Sequence, residues 1–401
     1  TDWRAGYGPI AHRSETIERM QALVQRLVAQ RRIADEASAH ALLAAADRVA
    51  CTAMSVVAHM TYARRIDRSG CPLGSDDFKQ TPEGHTGGSL NMVPAFVGYL
   101  LANALTGTTR GWLMGQGHCV AAIEAVNALT GDVSAAQRGR YDRSEAGLSR
   151  LIGDFYSYAI DKQGRPAVPL GSHAGPNTAG AISEGGYLGF AGLQYVHTPL
   201  PGESLVAFLS DGAFEEQRGS DWAPRWWRAE DCGFAIPVMI LNGRRIEQRT
   251  QIVQEGGATW LAEDLRHNGF DPVIVDGRDP MAIAWAIVEA EDTLSAFAAR
   301  SDRRYPVKLP YVIAETEKGF GFPGAATNAA HNLPLNGNPR EDAQAREAFN
   351  AGAAALFVPE TARALGTLEK LRDSEAGLAL AVDEYGEITG LVTLHDLLKS
   401  V

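Results

Sequence analysis

Two apolar runs, Leu205–Leu209 and Pro237–Leu241, each stop at a polar turn, Ser210-Asp211-Gly212 in one case and Leu241-Asn242-Gly243 in the other. Continuous apolar runs this short, bounded by glycine and polar residues, read as strands buried on both faces, the signature of a parallel sheet. Gly111–Met114, Asp271–Val275 and Tyr311–Ala314 read the same way. Between these runs lie stretches with helical character: 89–105, 119–129, 184–196, 222–230 and 281–299. Strands that alternate with helices predict an α/β domain built on a doubly wound, mostly parallel sheet. Ahead of it, residues 14–65 read as helix, opened by Ser14-Glu15-Thr16-Ile17. Residues 64–85 and 131–180 are rich in glycine, proline and charge and read as loops.

A second pattern starts near Phe357. Leu378–Val382 and Gly390–Leu394 read as strands around the turn Asp383–Gly386, with a helix opening at Asp396. The alanine-rich stretch 351–355 is the expected linker, which divides the chain into residues 1–350 and a small βα appendage over 351–401.

Composition narrows the function. The 401 residues carry a net charge of -11, with 45% hydrophobic and 21% charged residues. That acidic balance argues against a nucleic-acid partner, whose footprint is basic. No uninterrupted apolar stretch reaches the roughly 20 residues of a membrane span, so no membrane partner is expected. Four scattered cysteines, Cys51, Cys71, Cys119 and Cys232, fit a reducing, cytoplasmic setting.

The ends of parallel strands line the ligand crevice of an open α/β sheet. The Asp211 carboxylate and the Asn242 amide oxygen stand at two such ends. Hard oxygen donors suit magnesium, which takes further oxygens from a bound phosphate. The same dipeptides are also ordinary strand-to-turn junctions. Four histidines stand in loops: His85 in Gly-His-Thr-Gly-Gly, His118 in Gly-Gln-Gly-His, His173 in Gly-Ser-His-Ala-Gly and His331 in Ala-His-Asn-Leu-Pro. Loop histidines can contact substrate hydroxyls and move protons near neutral pH. Glu184-Gly185-Gly186-Tyr187-Leu188-Gly189 opens a helix whose free N–H groups suit a phosphate, or whose glycines serve tight packing. Lys318, after a strand, can meet the same phosphate as a point charge. Trp222, Trp226 and Trp227 read as core or interface rather than a base-stacking platform.

Taken together and in order, these segments resemble the N-terminal region of phosphoketolases over roughly residues 80 to 340. The resemblance rests on Gly84-His85-Thr86-Gly87 with Leu90-Asn91, on Gly115-Gln116-Gly117-His118, on Ser172 to Gly180, and on Glu184 to Gly189. It continues through Ser210-Asp211-Gly212, Leu241-Asn242-Gly243, Lys318-Gly319 and His331-Asn332-Leu333-Pro334-Leu335. It implies a thiamine-diphosphate fold with thiamine diphosphate and Mg2+ as cofactors. Asp211, Asn242 and the main-chain carbonyl of Arg244 would ligate the metal. Gly185, Gly212 and Lys318 would hold the diphosphate. His85, His118, His173 and His331 would surround the reacting carbons. The implied reaction cleaves a ketose phosphate, xylulose 5-phosphate or fructose 6-phosphate, with inorganic phosphate to acetyl phosphate and an aldose phosphate.

Three departures qualify that implication. Ser183 stands where the family carries a histidine, Ala213 where it carries a glutamate, and Arg244 where it carries a tyrosine. The chain also stops about where the family's second domain would begin. A complementary pyrimidine-binding subunit is therefore expected, in a homo- or hetero-oligomer with a dimer as the default. A transketolase-like subunit that passes on a two-carbon unit is the alternative. The tail, through Asp383-Glu384-Tyr385-Gly386 and Gly390 to Asp396, resembles a single CBS domain. That resemblance implies nucleotide contacts from Thr393 and Asp396, and a third reading as an inactive nucleotide-sensing protein.

Overall fold

The computed structural model describes residues 3–169, 200–217, 227–246, 248–356, 358–359, 378–382 and 388–393. Its central sheet has five strands, β1 (Gly111–Met114), β2 (Ser204–Ser210), β3 (Phe234–Leu241), β6 (Phe270–Asp276) and β7 (Leu309–Glu315), in the order β1-β2-β3-β7-β6. Between β3 and β6 the chain forms a two-stranded antiparallel hairpin, β4 (Arg244–Arg245) and β5 (Gln248–Arg249). All four pairings in the central sheet are parallel, as the apolar runs predict. Val206, Ala207 and Phe208 of β2, and Val238, Met239 and Ile240 of β3, are buried, the condition for a strand covered by helices on both faces.

Helices supply those covers. α1 (Ser14–Ala29), α2 (Glu36–Tyr62), α3 (Thr86–Thr106) and α4 (Val120–Thr130) lie in the N-terminal half. Where one helix was expected over 14–65 there are two. The break follows from Arg31, whose φ of 57° leaves the right-handed helical region. It is fixed by Asp35, whose carboxylate accepts the Ser38 N–H at 2.7 Å and caps α2. Ser14 is the first helical residue rather than the cap, which is Arg13.

α3 is buried along nearly all its length, from Thr86 and Gly87 to Leu105 and Thr106. α2 and α3 are long and apolar enough by composition to cross a membrane. Both instead pack inside the protein, against each other and the main hydrophobic core. Asn91 of α3 bolts this helix to the loop after β7: its Nδ2 donates to the Glu317 carbonyl at 2.7 Å, and its Oδ1 accepts from Gly319 N–H at 3.3 Å.

Residues 351–355, expected as a linker, lie inside the helix Ala343–Leu356. Phe349 of that helix is fully buried and meets His59, Tyr62, Phe78 and Phe322 edge-on. Within the expected loop of residues 131–180, Ala135–Arg138 and Glu145–Asp154 are helical. The expected helix over 184–196 and residues 222–226 lie outside the described residues, and 227–230 are not helical. Trp227 is core: it packs against Phe297 and Tyr305 and donates its Nε1–H to the Gly233 carbonyl at 2.9 Å. In the tail, β8 (Val358–Pro359), β9 (Leu378–Val382) and β10 (Ile388–Thr393) form a separate sheet in the order β10-β9-β8.

One internal cluster joins distant parts of the chain. His12 Nδ1 is 2.9 Å from Asp279 Oδ2, and His12 Nε2 is 2.9 Å from Asp47 Oδ2. The second Asp279 oxygen accepts the Met281 N–H at 2.8 Å and caps the helix Pro280–Ala298. The three side chains are close enough to hold a metal ion. However, both ring nitrogens already meet carboxylates at hydrogen-bond length, so the cluster reads as a buried imidazolium gripped from two sides.

Candidate functional site

Because every strand of the central sheet points the same way, their C-terminal ends share one edge. The register pairs Ser210 with Ile240 and Leu241 with Glu315. It therefore sets the turns after β2, β3 and β7 side by side, and with them Asp211, Asn242 and Lys318. The turn after β1 joins them, since Gly115 N–H donates to the Phe208 carbonyl at 2.8 Å.

Asp211 is fully buried. Its Oδ2 accepts from Gly243 N–H at 2.7 Å and from the Thr250 hydroxyl at 3.2 Å. Its Oδ1 is buried with no partner. A buried carboxylate oxygen without a partner is costly and calls for an occupant. Burial pushes the carboxyl up to about 6, against the pull of the Gly243 N–H, the Lys318 charge and the Thr250 hydroxyl. Asn242 Oδ1 accepts the Arg244 N–H at 3.1 Å, which turns the chain into the β4–β5 hairpin. That hairpin presses on Gly212, where an added Cβ would stand 2.9 Å from Arg245 Cβ.

Lys318 links this end to the histidines. Its Nζ donates to the Arg244 carbonyl at 3.2 Å and to His331 Nδ1 at 2.8 Å. An ammonium has only donors, so His331 Nδ1 must accept, and the neutral ring carries its hydrogen on Nε2. Burial first, then the charges of Lys318 and His85, hold His331 down at about 3, so it stays neutral. Burial also lowers the Lys318 pKa, opposed by the Asp211 charge.

His85, His118 and His331 form a triangle. Their ring centroids are 5.1 Å apart for His85 and His118, 5.6 Å for His85 and His331, and 5.7 Å for His118 and His331. The loops that carry them are fastened together. The Thr86 hydroxyl donates to the Asn332 carbonyl at 2.7 Å and meets the Thr61 hydroxyl at 2.8 Å. The His85 N–H donates to the Tyr156 hydroxyl at 3.3 Å. The spacing of Gly87 and Gly88 has a steric cause: a Cβ on Gly87 would stand 2.1 Å from the Ala330 carbonyl oxygen, and one on Gly88 would stand 2.8 Å from Cys119 Sγ.

Gly87→Ala is therefore expected to force the His331 loop away from α3. The cost is about 1–3 kcal/mol of stability, read from urea unfolding, with a matching loss of phosphate-ligand affinity. An unchanged unfolding midpoint would mean that the approach of α3 to Ala330 is not tight.

The structure thus brings together His85, His118, His331, Asp211, Gly212, Asn242, Arg244 and Lys318. His173, Gly185, Ser183 and Asp396 lie outside the described residues, and for Thr393 only its place on β10 is described. Reading along the chain overlooked Asn91, Thr86, Tyr156 and Thr250 as supports. Of these, Asn91 and Thr86 stand inside motifs already singled out and were within reach.

The site fits a magnesium-diphosphate group on its own geometry. An orphaned buried carboxylate oxygen lies at the same sheet edge as the Asn242 amide, the Arg244 carbonyl and the Lys318 ammonium, with Gly212 packed beside the Arg245 stem. Held there, a divalent cation would screen the diphosphate charge and fix its orientation.

The chain is similar to known proteins over most of its length. A family model described as XFP N-terminal domain matches residues 38–352. The probable phosphoketolase of Streptomyces coelicolor is 30% identical over 301 residues, which cover 68% of this chain and 36% of that protein. Probable phosphoketolase 2 of Lactiplantibacillus plantarum is 26% identical over 287 residues, which cover 66% of this chain and 34% of that protein. The chain thus spans about a third of the length of these relatives. Among solved structures, transketolase from Leishmania mexicana covers 82% of this chain and 46% of its own at 15% identity, with a TM-score of 0.44.

Proposed function

The chain belongs to the XFP N-terminal domain family, and from that premise we propose that it forms the diphosphate-holding part of a thiamine-diphosphate-dependent phosphoketolase. The observation that carries this reading is the run of contacts from Asp211 to the Gly243 N–H, along the chain to the Arg244 carbonyl, and through Lys318 to His331, which ends in the three-histidine triangle. One end has the donors for a magnesium-diphosphate. The other has neutral imidazole within reach of whatever carbon chain lies above it.

In this reading Asp211, Asn242 and the Arg244 carbonyl hold Mg2+, while Gly212 and Lys318 meet the diphosphate, joined by Gly185. His331, with its hydrogen on Nε2, donates to a substrate oxygen. His85 and His118, with His173, bind the sugar hydroxyls and take the proton released as the carbon–carbon bond breaks. The overall change converts a ketose phosphate and inorganic phosphate into acetyl phosphate, an aldose phosphate and water. Xylulose 5-phosphate or fructose 6-phosphate is the proposed substrate. The rest of the relatives' length suggests that a further segment or complementary chain completes the site, in a dimer, in the cytoplasm. We also propose that a separate unit follows the helix ending at Leu356 and has a CBS-type role, supported by the antiparallel pair β9 and β10.

Isothermal titration with thiamine diphosphate tests the core of this reading. Binding is expected with Mg2+ present and is expected to vanish with a chelator. Binding that ignores the chelator, or no binding at all, would overturn it.

A further inference from the structure

The Arg244 carbonyl is assigned above to Mg2+, yet it accepts from the Lys318 ammonium at 3.2 Å. Lys318 is itself buried, at 4% exposure, and feels the charge of Asp211. Asp211 therefore already has a counter-ion inside the crevice. We propose that Lys318 is a resident cation: its ammonium holds the metal's place beside the Arg244 carbonyl and Asp211 until a diphosphate draws it away, so that metal and diphosphate enter together. The proposal rests on the magnesium-diphosphate reading of this site.

Three observations support it. The first is charge balance. Lys318 and Arg244 set two positive charges against the single negative charge of Asp211, and the neighbouring Arg245 is opposed by Glu215 at 3.9 Å. A lone divalent cation entering this set meets like charge at short range. A diphosphate brings several negative charges and reverses that balance. The second is reach. Lysine carries its charge on a flexible four-carbon stem, and the stem of Lys318 runs beside Gly87, where an added Cβ would lie 3.0 Å from Lys318 Cγ. Glycine keeps that path open. The third is the state of the acceptors. Asp211 Oδ1 is buried without a partner while Oδ2 is doubly engaged. The Lys318 ammonium thus stands near the carboxylate without hydrogen-bonding its open oxygen, as a temporary occupant would.

When Lys318 leaves the Arg244 carbonyl, it also leaves His331 Nδ1, which it now contacts at 2.8 Å. Diphosphate capture at one end of the crevice therefore changes the hydrogen bonding of a histidine at the other.

The test is calorimetry on the full chain with Mg2+ alone, with inorganic pyrophosphate alone and with both. The variant Lys318→Met keeps the length of the side chain and removes its charge. It is expected to bind Mg2+ alone about tenfold more tightly than the parent, and pyrophosphate about tenfold more weakly. Equal or weaker Mg2+ binding by this variant overturns the proposal and leaves the underlying reading standing. Failure of the parent to take up pyrophosphate with Mg2+ overturns both. Should the methionine variant not fold, Lys318→Gln is read the same way. A measurement on the parent needs no variant: the His331 Nδ1 nitrogen resonance is expected to move on addition of pyrophosphate with Mg2+ and to stay in place with Mg2+ alone. Movement with Mg2+ alone counts against the proposal.

Discussion

Replacing His12 by alanine is expected to destabilise the fold by about 3–5 kcal/mol, the cost of breaking a buried charge pair by removing one partner. Asp47 is 2% and Asp279 1% exposed. Without the imidazolium, two carboxylates would face each other in the interior. Burial opposes the His12 charge, but the hydrogen bonds and charges of Asp279 and Asp47 outweigh it and raise its pKa to about 10. The sign follows from linkage. A base whose pKa is higher folded than unfolded lends stability that is fully present below its unfolded value, near 6.5, and lost as pH rises through about 10. Asp47, pushed up to about 6 mainly by burial, runs the same way: its share is present below its unfolded value and lost as pH rises through about 6. Urea unfolding of parent and His12→Ala from pH 6.5 to 10.5 should therefore show a gap that narrows with pH. A constant gap would mean that His12 acts by packing against Trp3 (ring centroids 6.1 Å apart) rather than by charge.

That cluster also shows where sequence reading ends. His12, Asp47 and Asp279 sit in three separate segments, and nothing local to any of them announces the other two. The sheet was legible for the opposite reason. A strand buried on both faces must be apolar throughout, so Gly111–Met114 is the same four residues in sequence and structure, and β7 extends the expected Tyr311–Ala314 by a few residues only. The edge that carries the candidate site was legible as well, because parallel strands deliver their C-terminal turns to one side. What could not be read was how the turns lock: the Lys318 hydrogen bond to His331, the Thr86 clasp on Asn332 and the Asn91 bridge to the Lys318 loop. The break between α1 and α2 was hidden by apolar spacing that continues on either side of it. The helical course of residues 351–355 was hidden by alanine, which serves a helix and a spacer equally, while the anchor that decides the matter, Phe349, stands just upstream.

Asp211→Asn is expected to abolish magnesium-dependent diphosphate binding and, in the ligand-free chain, to raise stability. The two effects have one cause. At neutral pH the folded protein must keep a fully buried carboxylate charged, although burial has pushed it up to about 6. That costs on the order of 3 kcal/mol. The penalty is absent below the unfolded value, near 3.8, and grows as pH rises through about 6. Asparagine avoids it and keeps one oxygen for the Gly243 N–H and the Thr250 hydroxyl. It places an NH2 where the carboxylate had its unpartnered oxygen, and a buried donor without an acceptor costs about 1–3 kcal/mol. The net gain is roughly 1 kcal/mol, and the loss of stability between pH 4 and 6 should flatten. Binding suffers because the same NH2 presents a positive edge to the cation, so affinity should fall by about a hundredfold or more, some 3 kcal/mol. Asp211→Ala separates function from architecture. It should lose binding to the same degree, but it strands the Gly243 N–H and the Thr250 hydroxyl and so lowers stability. If Asp211 were only a turn residue, asparagine, an equally good turn former, would leave binding unchanged while the pH profile still flattened.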